Sequence, residues 1–418
     1  MKILYSTRLF SGLESSFINK KWSPTGVPTI YKLIEELDKR HDTKFIFSAK
    51  DSGDGYFSSW NYSKDKVILV DGLSQKIKVL TGASFYFSWL PRRVALFFRE
   101  IRQYTHIIVE TLRFKPDIMY CDHANVIVGA LLSRLQRRTL IVFRVMGVYP
   151  VMRSSLTSNR LINKIFKWAY RSPFDLVICT QDGSGVEPWL KKAISKNVKT
   201  QVLLNGVDKN DILNIDVLDI QLQSMSHEKK KILFVGKLEV YKGCYDFLNA
   251  FFILIDKGIE DIHALIIGTG SEELRLKELV KERKDEHRFT FISRLPHDQI
   301  LVAHRLSDIY VSMNHLGNLS NSNLEAIQSN SCMIIPSPQA DDGIDVVTNA
   351  LLGNSVTSVP IKNPTMLADS ISTLVFSKKD REKKSKLLAI KKADFLWSWD
   401  ERIKMEVILL EQLLESKK

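Results

Sequence analysis

Asp308-Ile-Tyr-Val-Ser-Met313, followed by Asn314-His315-Leu-Gly-Asn-Leu-Ser320-Asn-Ser-Asn-Leu-Glu325-Ala326, is the stretch from which the fold can be read. Residues 308–313 are a short apolar run of the kind that forms a buried strand, and a helical pattern opens at about residue 323. Between them, Ser320, Asn321, Ser322 and Asn323 crowd the helix start. Such side chains cap helices by accepting from the first backbone N–H groups. The same N–H groups and the positive end of the helix dipole make an anion site. One carboxylate, Glu325, is placed there and suits a ribose diol beside a diphosphate. The strand–loop–helix unit therefore reads as half of a nucleotide-sugar pocket, with the backbone of Leu324 inside it.

The same unit recurs along the chain. Strand-like runs at 3–5, 45–47, 67–70, 117–120, 140–145, 176–179 and 202–204 alternate with helical patterns at 29–38, 94–112, 126–135, 160–170 and 187–194. After a polar stretch at 208–228, strands at 231–235, 264–268, 289–292, 308–313 and 333–336 alternate with helices at 244–257, 272–284, 298–306, 323–329 and 366–376. Alternation of this kind predicts right-handed βαβ units and parallel sheets. At 418 residues two domains are expected. We read an α/β chain of two doubly wound Rossmann-like domains facing a cleft, 1–208 and 209–395. Residues 380–414 read as helical, and 396–418 are expected to pack back on the first domain.

Apolar content of 44% and charged content of 26% are those of a globular chain, which excludes a disordered or fibrous one. The N-terminus lacks a signal-peptide pattern and no apolar run reaches membrane-spanning length. Cys121, Cys179, Cys244 and Cys332 are isolated and without metal-ligand spacing, which fits buried thiols in a cytoplasmic protein. The net charge of +13 lies wholly in one half: residues 1–210 carry 33 Lys+Arg against 17 Asp+Glu. That asymmetry points to an anionic partner or to a merely solvated surface. Residues 85–102, FYFSWLPRRVALFFREIR, favour the partner, because aromatics beside Arg92, Arg93, Arg99 and Arg102 suit a membrane interface. No nucleic-acid signature accompanies them.

Further motifs sit at strand ends. Gly236-Lys237-Leu-Glu-Val-Tyr-Lys242-Gly243 places two lysines where they can neutralise a diphosphate, and Gly268-Thr-Gly270 permits close backbone approach. GKLEVYKG, IIGTG, SDIYVSMN and SNSNLEA, with Asn205-Gly-Val-Asp208 ahead of the polar stretch, resemble the donor half of the family-4 glycosyltransferases of the GT-B fold. The resemblance covers roughly 200–376. It implies that Lys237 and Lys242 bind phosphate and that Glu325 binds ribose. It further implies a retaining, metal-independent transfer from a UDP- or GDP-linked sugar, with no other cofactor, to a glycan or lipid-linked oligosaccharide. Surface polysaccharide or lipopolysaccharide synthesis at the inner face of the plasma membrane is the expected setting. A GT-B epimerase and a catalytically inactive donor-binding subunit are the alternatives.

Three departures accompany the resemblance. Gly317 stands where the family usually has a second glutamate, so sugar contacts are expected from Asn318, Ser320, Asn321 or backbone amides. Met146-Gly147 replaces a usual His-Gly, which makes His123 a candidate for the reaction centre, though a core or capping histidine is equally open. Gly12 and Gly26 lie far apart in sequence, and Gly26, before Pro28, is taken as the glycine of the first loop. Arg294, in Ser293–Pro296, is expected near the base.

Overall fold

Apolar runs that are buried on both faces set the architecture. A computed structural model describes residues 1–50, 65–81, 91–135, 138–208 and 229–417. The polar stretch at 209–228 and residues 82–90 of the aromatic segment lie outside the described residues. The chain forms two compact units: Met1–Thr180 with Trp189–Leu203 and Trp399–Lys418, and Gln181–Pro188 with Leu204–Ser398.

The first unit is built on β1 (Lys2–Arg8), β2 (Asp42–Ser48), β3 (Lys66–Ile68), β4 (Ile77–Leu80), β5 (Ile118–Asp122), β6 (Leu140–Val145), β7 (Leu176–Gln181) and β8 (Lys199–Leu204). Their spatial order is β3-β4-β2-β1-β5-β6-β7-β8. The pairs from β4 to β7 are parallel, and β3 joins antiparallel to β4. β5, β6 and β7 are buried at every position, as strands covered by helices on both faces must be. The covering helices are α1 (Ser11–Asn19), α2 (Pro28–Arg40), α3 (Arg92–Phe114), α4 (Val126–Leu135), α5 (Pro150–Thr157), α6 (Leu161–Tyr170) and α7 (Val186–Ala193). In α2, Pro28 opens the first turn, and Ile30, Leu33, Ile34 and Leu37 form the buried stripe.

The second unit repeats the plan. β9 (Gly206–Val207), β10 (Lys230–Val235), α8 (Cys244–Asp256), β11 (Ile262–Ile267), α9 (Glu273–Glu282), β12 (Phe289–Ile292), α10 (His297–Leu306), β13 (Ile309–Val311), α11 (Asn321–Gln328) and β14 (Met333–Pro336) follow in order. α12 (Val346–Leu352), β15 (Thr357–Val359), α13 (Pro364–Phe376), α14 (Lys378–Lys391) and β16 (Trp397–Ser398) complete it. Its six-stranded sheet runs β12-β11-β10-β13-β14-β15, all parallel, and β16 pairs with β9. In this order the chain reverses direction between β10 and β13. Such a switch point opens a crevice at the strand carboxyl ends.

The last helix, α15 (Trp399–Glu415), belongs to the first unit. Its fully buried Glu406 accepts from Tyr120 Oη on β5 and lies 3.2 Å from Arg144 Nε on β6. Arg402, one turn earlier, meets the other Glu406 oxygen at 2.6 Å. Sequence reading missed β4, β15, α1, α5 and α12, which are short. It also ran residues 380–414 together, whereas α14 and α15 are separated by a turn and β16. The expected boundaries change at residues 204–208 and 396–398, which join the second unit, and at one further segment. Gln181–Pro188 joins the second unit, because its backbone is bonded to the loop after β13.

Candidate functional site

The loops leaving β10 and β13 stand side by side at the switch point of the second sheet. Gly236 N–H donates to Ile267 O at the end of β11, and any side chain on Gly268 would strike the Gly236 carbonyl. A side chain on Gly270 would likewise meet Leu238 O. These glycines let the loops after β10 and β11 touch, and so place Lys237 and Lys242 at the sheet end. Lys237 is exposed, while Lys242 closes a short 3-10 turn and is half-buried. Its ammonium lies 5.4 Å from the Tyr241 ring centroid. Burial holds the Lys242 pKa below the usual lysine value; the Asp182 carboxylate opposes that shift and Lys237 adds to it. His315 N–H donates to Tyr241 O at 2.9 Å, which fastens the lysine loop to the loop after β13.

Helix α11 begins where expected, with Ser320 at its N-cap, but no side chain caps it. The polar residues there bond elsewhere. Ser320 Oγ and Ser322 Oγ lie 3.1 Å apart, and Asn321 Oδ1 accepts from Asn205 Nδ2 at 2.8 Å. Asn323 is buried, accepts from Tyr310 Oη at 2.7 Å and donates to Asn318 O at 2.9 Å. Leu324 donates its N–H to Ser320 O, and its side chain lies in the core beside Tyr310 and Ile335. The expected capping role of Ser320–Asn323 is therefore corrected: the side chains bind each other and neighbouring elements. Glu325 follows in the second turn, 7% exposed.

Asn318, one of the expected sugar contacts, is turned into the fold. It is fully buried; its Oδ1 accepts from Ser312 Oγ, its Nδ2 donates to Asn314 O and Asp345 Oδ2, and its N–H donates to Asp345 Oδ1. Asp345 additionally accepts from Thr348 Oγ1 at 2.8 Å. Burial pushes its carboxyl up to about 6 despite these bonds, and nearby Asp182 adds to the shift. Gly317 has φ +133°, and a Cβ there would lie 2.6 Å from Asp182 O and Ser184 N. The segment after β7 thus fills the space a side chain at 317 would need. The acidic residues this places at the site, Asp182 and Asp345, escaped sequence reading. The visible signal was the pair of glycines in Gln181-Asp-Gly-Ser-Gly185, a turn directly after a strand.

Arg294 is exposed on the loop after β12, where Ser293 Oγ donates to Glu273 Oε1 at 3.3 Å. In the first unit, the loops after β1 and β5 share a second switch point. Gly12 and Gly26, 14 residues apart in sequence, are neighbours in space: Thr25 N–H donates to Gly12 O at 2.9 Å. His123 follows β5, with Nε2 2.7 Å from Tyr170 Oη and its ring stacked 5.5 Å from that of Phe166. Burial lowers its pKa to about 4, so the imidazole is neutral at pH 7. Of the arginines in the aromatic segment, Arg99 pairs with Glu100 and Arg102 with Asp65. The side chains of Arg92 and Arg93 lie outside the described residues.

Residues 219–387 match the family described as glycosyl transferases group 1. Over 147 residues the chain is 31% identical to an uncharacterized glycosyltransferase of Methanocaldococcus jannaschii, covering 32% of this chain and 37% of that protein. A similar match of 28% identity, to an uncharacterized glycosyltransferase of Haemophilus influenzae, covers 34% of this chain and 36% of that one. The chain thus spans about a third of the length of the curated relatives it matches. Whole-chain likeness appears in solved structures. Sucrose-phosphate synthase from Thermosynechococcus elongatus superposes with a TM-score of 0.73 at 16% identity, covering 100% of both chains. Anabaena HepE in complex with UDP gives 0.66 at 15% identity, covering 99% of this chain and 100% of that one. By fold the chain has a GT-B architecture, and the residues of its second unit are where the match to glycosyl transferases group 1 falls.

Proposed function

We propose that the protein is a retaining glycosyltransferase that moves a sugar from a nucleotide-diphosphate sugar to a glycan acceptor. The observation that carries this reading is that Lys237 and Lys242 follow β10, while the uncapped start of α11, with Glu325 one turn in, follows the adjacent strand β13. Breaking a sugar–diphosphate bond leaves negative charge on the leaving group. Two lysines and the N–H groups of α11 would stabilise that charge as it develops. Glu325 would accept from the ribose hydroxyls. That Anabaena HepE, a structure of the same fold, was solved with UDP supports a nucleotide-linked donor. Retention, a transfer that relies on these groups rather than on a metal, and use of UDP or GDP follow from the family resemblance.

The acceptor is proposed to be lipid-linked, in surface polysaccharide or lipopolysaccharide assembly. On α6 of the basic first unit, Leu161, Ile162, Ile165 and Trp168 are exposed beside exposed Lys164, and Phe97 stands out from α3. Apolar side chains among cations suit the interface of an anionic membrane. No helix among the described residues is long and apolar enough to cross one. Transfer assayed with purified protein tests the site: Lys242→Ala should lower kcat about a hundredfold, and Glu325→Ala should raise the donor KM by about tenfold or more. Unchanged transfer in both variants would show the site to be elsewhere.

A further inference from the structure

Asp182 lies at the tip of the Gln181–Pro188 segment, which the structure fixes against the second unit from three directions. Leu319 N–H donates to Asp182 O at 3.0 Å, and Asp345 N–H donates to Gly183 O at 2.7 Å. A Cβ on Gly183 would lie 2.6 Å from Asn318 N and Asp345 Oδ1, so the turn is pressed onto those residues with no room for a side chain. The side chain of Asp182 is held from one end only. Oδ1 accepts from Ser184 N–H at 3.0 Å and from Ser184 Oγ. Oδ2 meets no hydrogen-bond donor among the described residues.

Asp182 is half-buried and its open Oδ2 is not sealed from water, so a ligand group that displaces water can donate to it. Burial pushes this carboxyl up; the Ser184 bonds and the Lys242 charge oppose that shift. The Lys242 loop and the Asp182 turn are both bonded to the loop after β13, one through His315 and the other through Leu319. An acidic acceptor therefore stands close to the cation proposed to hold the diphosphate. A second anion such as phosphate would be repelled by it. A neutral group that donates hydrogen bonds and is attached to the diphosphate would be accepted, and a sugar hydroxyl is such a group.

We propose that Asp182 is a donor-specificity residue whose open Oδ2 accepts a hydrogen bond from a hydroxyl of the transferred sugar. This rests on the nucleotide-sugar reading of the site. The backbone contacts at Gly317 explain why the carboxylate arrives on this segment rather than on the loop after β13, since a side chain at 317 and the Asp182 turn exclude each other.

Calorimetric titration of the full chain with a panel of UDP- and GDP-sugars, each beside its parent UDP or GDP, separates the two readings. In Asp182→Asn, Oδ1 still accepts from Ser184 while the open position becomes a donor. The ratio of sugar-nucleotide to diphosphate dissociation constants should rise about tenfold or more, the loss expected for one charged hydrogen bond. Parent diphosphate should bind as well or more tightly, because a negative charge near Lys242 has gone. Ser184→Ala should raise the ratio less, by loosening the carboxylate without removing it, and Asp182→Glu should recover part of it. A ratio unchanged in Asp182→Asn, with sugar nucleotide still bound by the unmodified protein, overturns this inference alone. Equal weakening of both ligands also overturns it, since that is the signature of a merely structural turn. If the unmodified protein binds no sugar nucleotide, the donor reading falls and this inference with it.

Discussion

Lys242 shows how one side chain acquires its role from its surroundings. Next to Lys237 in a solvated loop it would be an ordinary cation. Here the glycine at 243 lets the turn press against Met313 at the end of β13, and the ammonium becomes half-buried. Burial holds its pKa below the usual 10.5, so the free protein loses this charge at lower pH than a surface lysine would. In the proposed transfer the protonated form is the one that would stabilise the departing diphosphate. kcat/KM should therefore fall on the alkaline side at a pH below 10.5, and in Lys242→Arg that limb should move upward, because a guanidinium stays charged. A pH profile of both proteins checks this, and an identical alkaline limb would assign the titration to another group. The lysines, the glycines and Glu325 were legible because residue type and strand-end position suffice to suggest them. Asp182 and Asp345 were not, because their importance lies in partners 135 and 27 residues away: Gly317 for one, Asn318 for the other.

Among the elements, α15 is the clearest case of a role set by packing. Its sequence reads as a Leu-rich amphipathic helix, yet it carries Arg402 and Glu406 at positions with no solvent exposure. They meet Arg144 and Tyr120 on the first sheet and pin the end of the chain to the unit where it begins. Burial alone would raise the Glu406 pKa, but the Arg144 and Arg402 guanidiniums outweigh it and hold the carboxyl below its ordinary value. A depressed folded-state pKa means stability that is fully present above the unfolded carboxylate range and lost as pH falls through the folded value. Glu406→Ala would leave two guanidiniums buried without a counter-charge and should cost about 3–5 kcal/mol. Urea unfolding near pH 7 measures that loss, and a variant as stable as the parent would show that water reaches the site. The short elements β4, β15, α1, α5 and α12 escaped sequence reading for a related reason. A three- to nine-residue segment shows too few repeats for its period to declare itself, and neighbouring strands and helices decide its conformation.

Across the whole molecule, charge and architecture divide along the same lines. The excess of cations lies in residues 1–210, while the motifs proposed to bind the nucleotide lie in the second unit. If the first unit holds a lipid-linked acceptor, the protein should sediment with anionic vesicles at low salt and be released as salt screens the attraction over about 10 Å or less. Ile162→Asp with Trp168→Ala should weaken that binding, and no sedimentation at any salt would remove the membrane from the proposal. The alternation of strands and helices by itself determined two doubly wound α/β units and the strand-end loops proposed to hold the donor. Buried parallel strands and glycine-punctuated strand ends are local patterns that short-range physics imposes. Only the tertiary structure decided that Gln181–Pro188 belongs to the second unit, that Gly12 and Gly26 meet, that Asn318 and Asn323 are internal braces, and that the final helix meets the first sheet through Glu406, Tyr120 and Arg144. Those outcomes depend on which distant backbone fills a given space, and a linear pattern of residue types does not encode that.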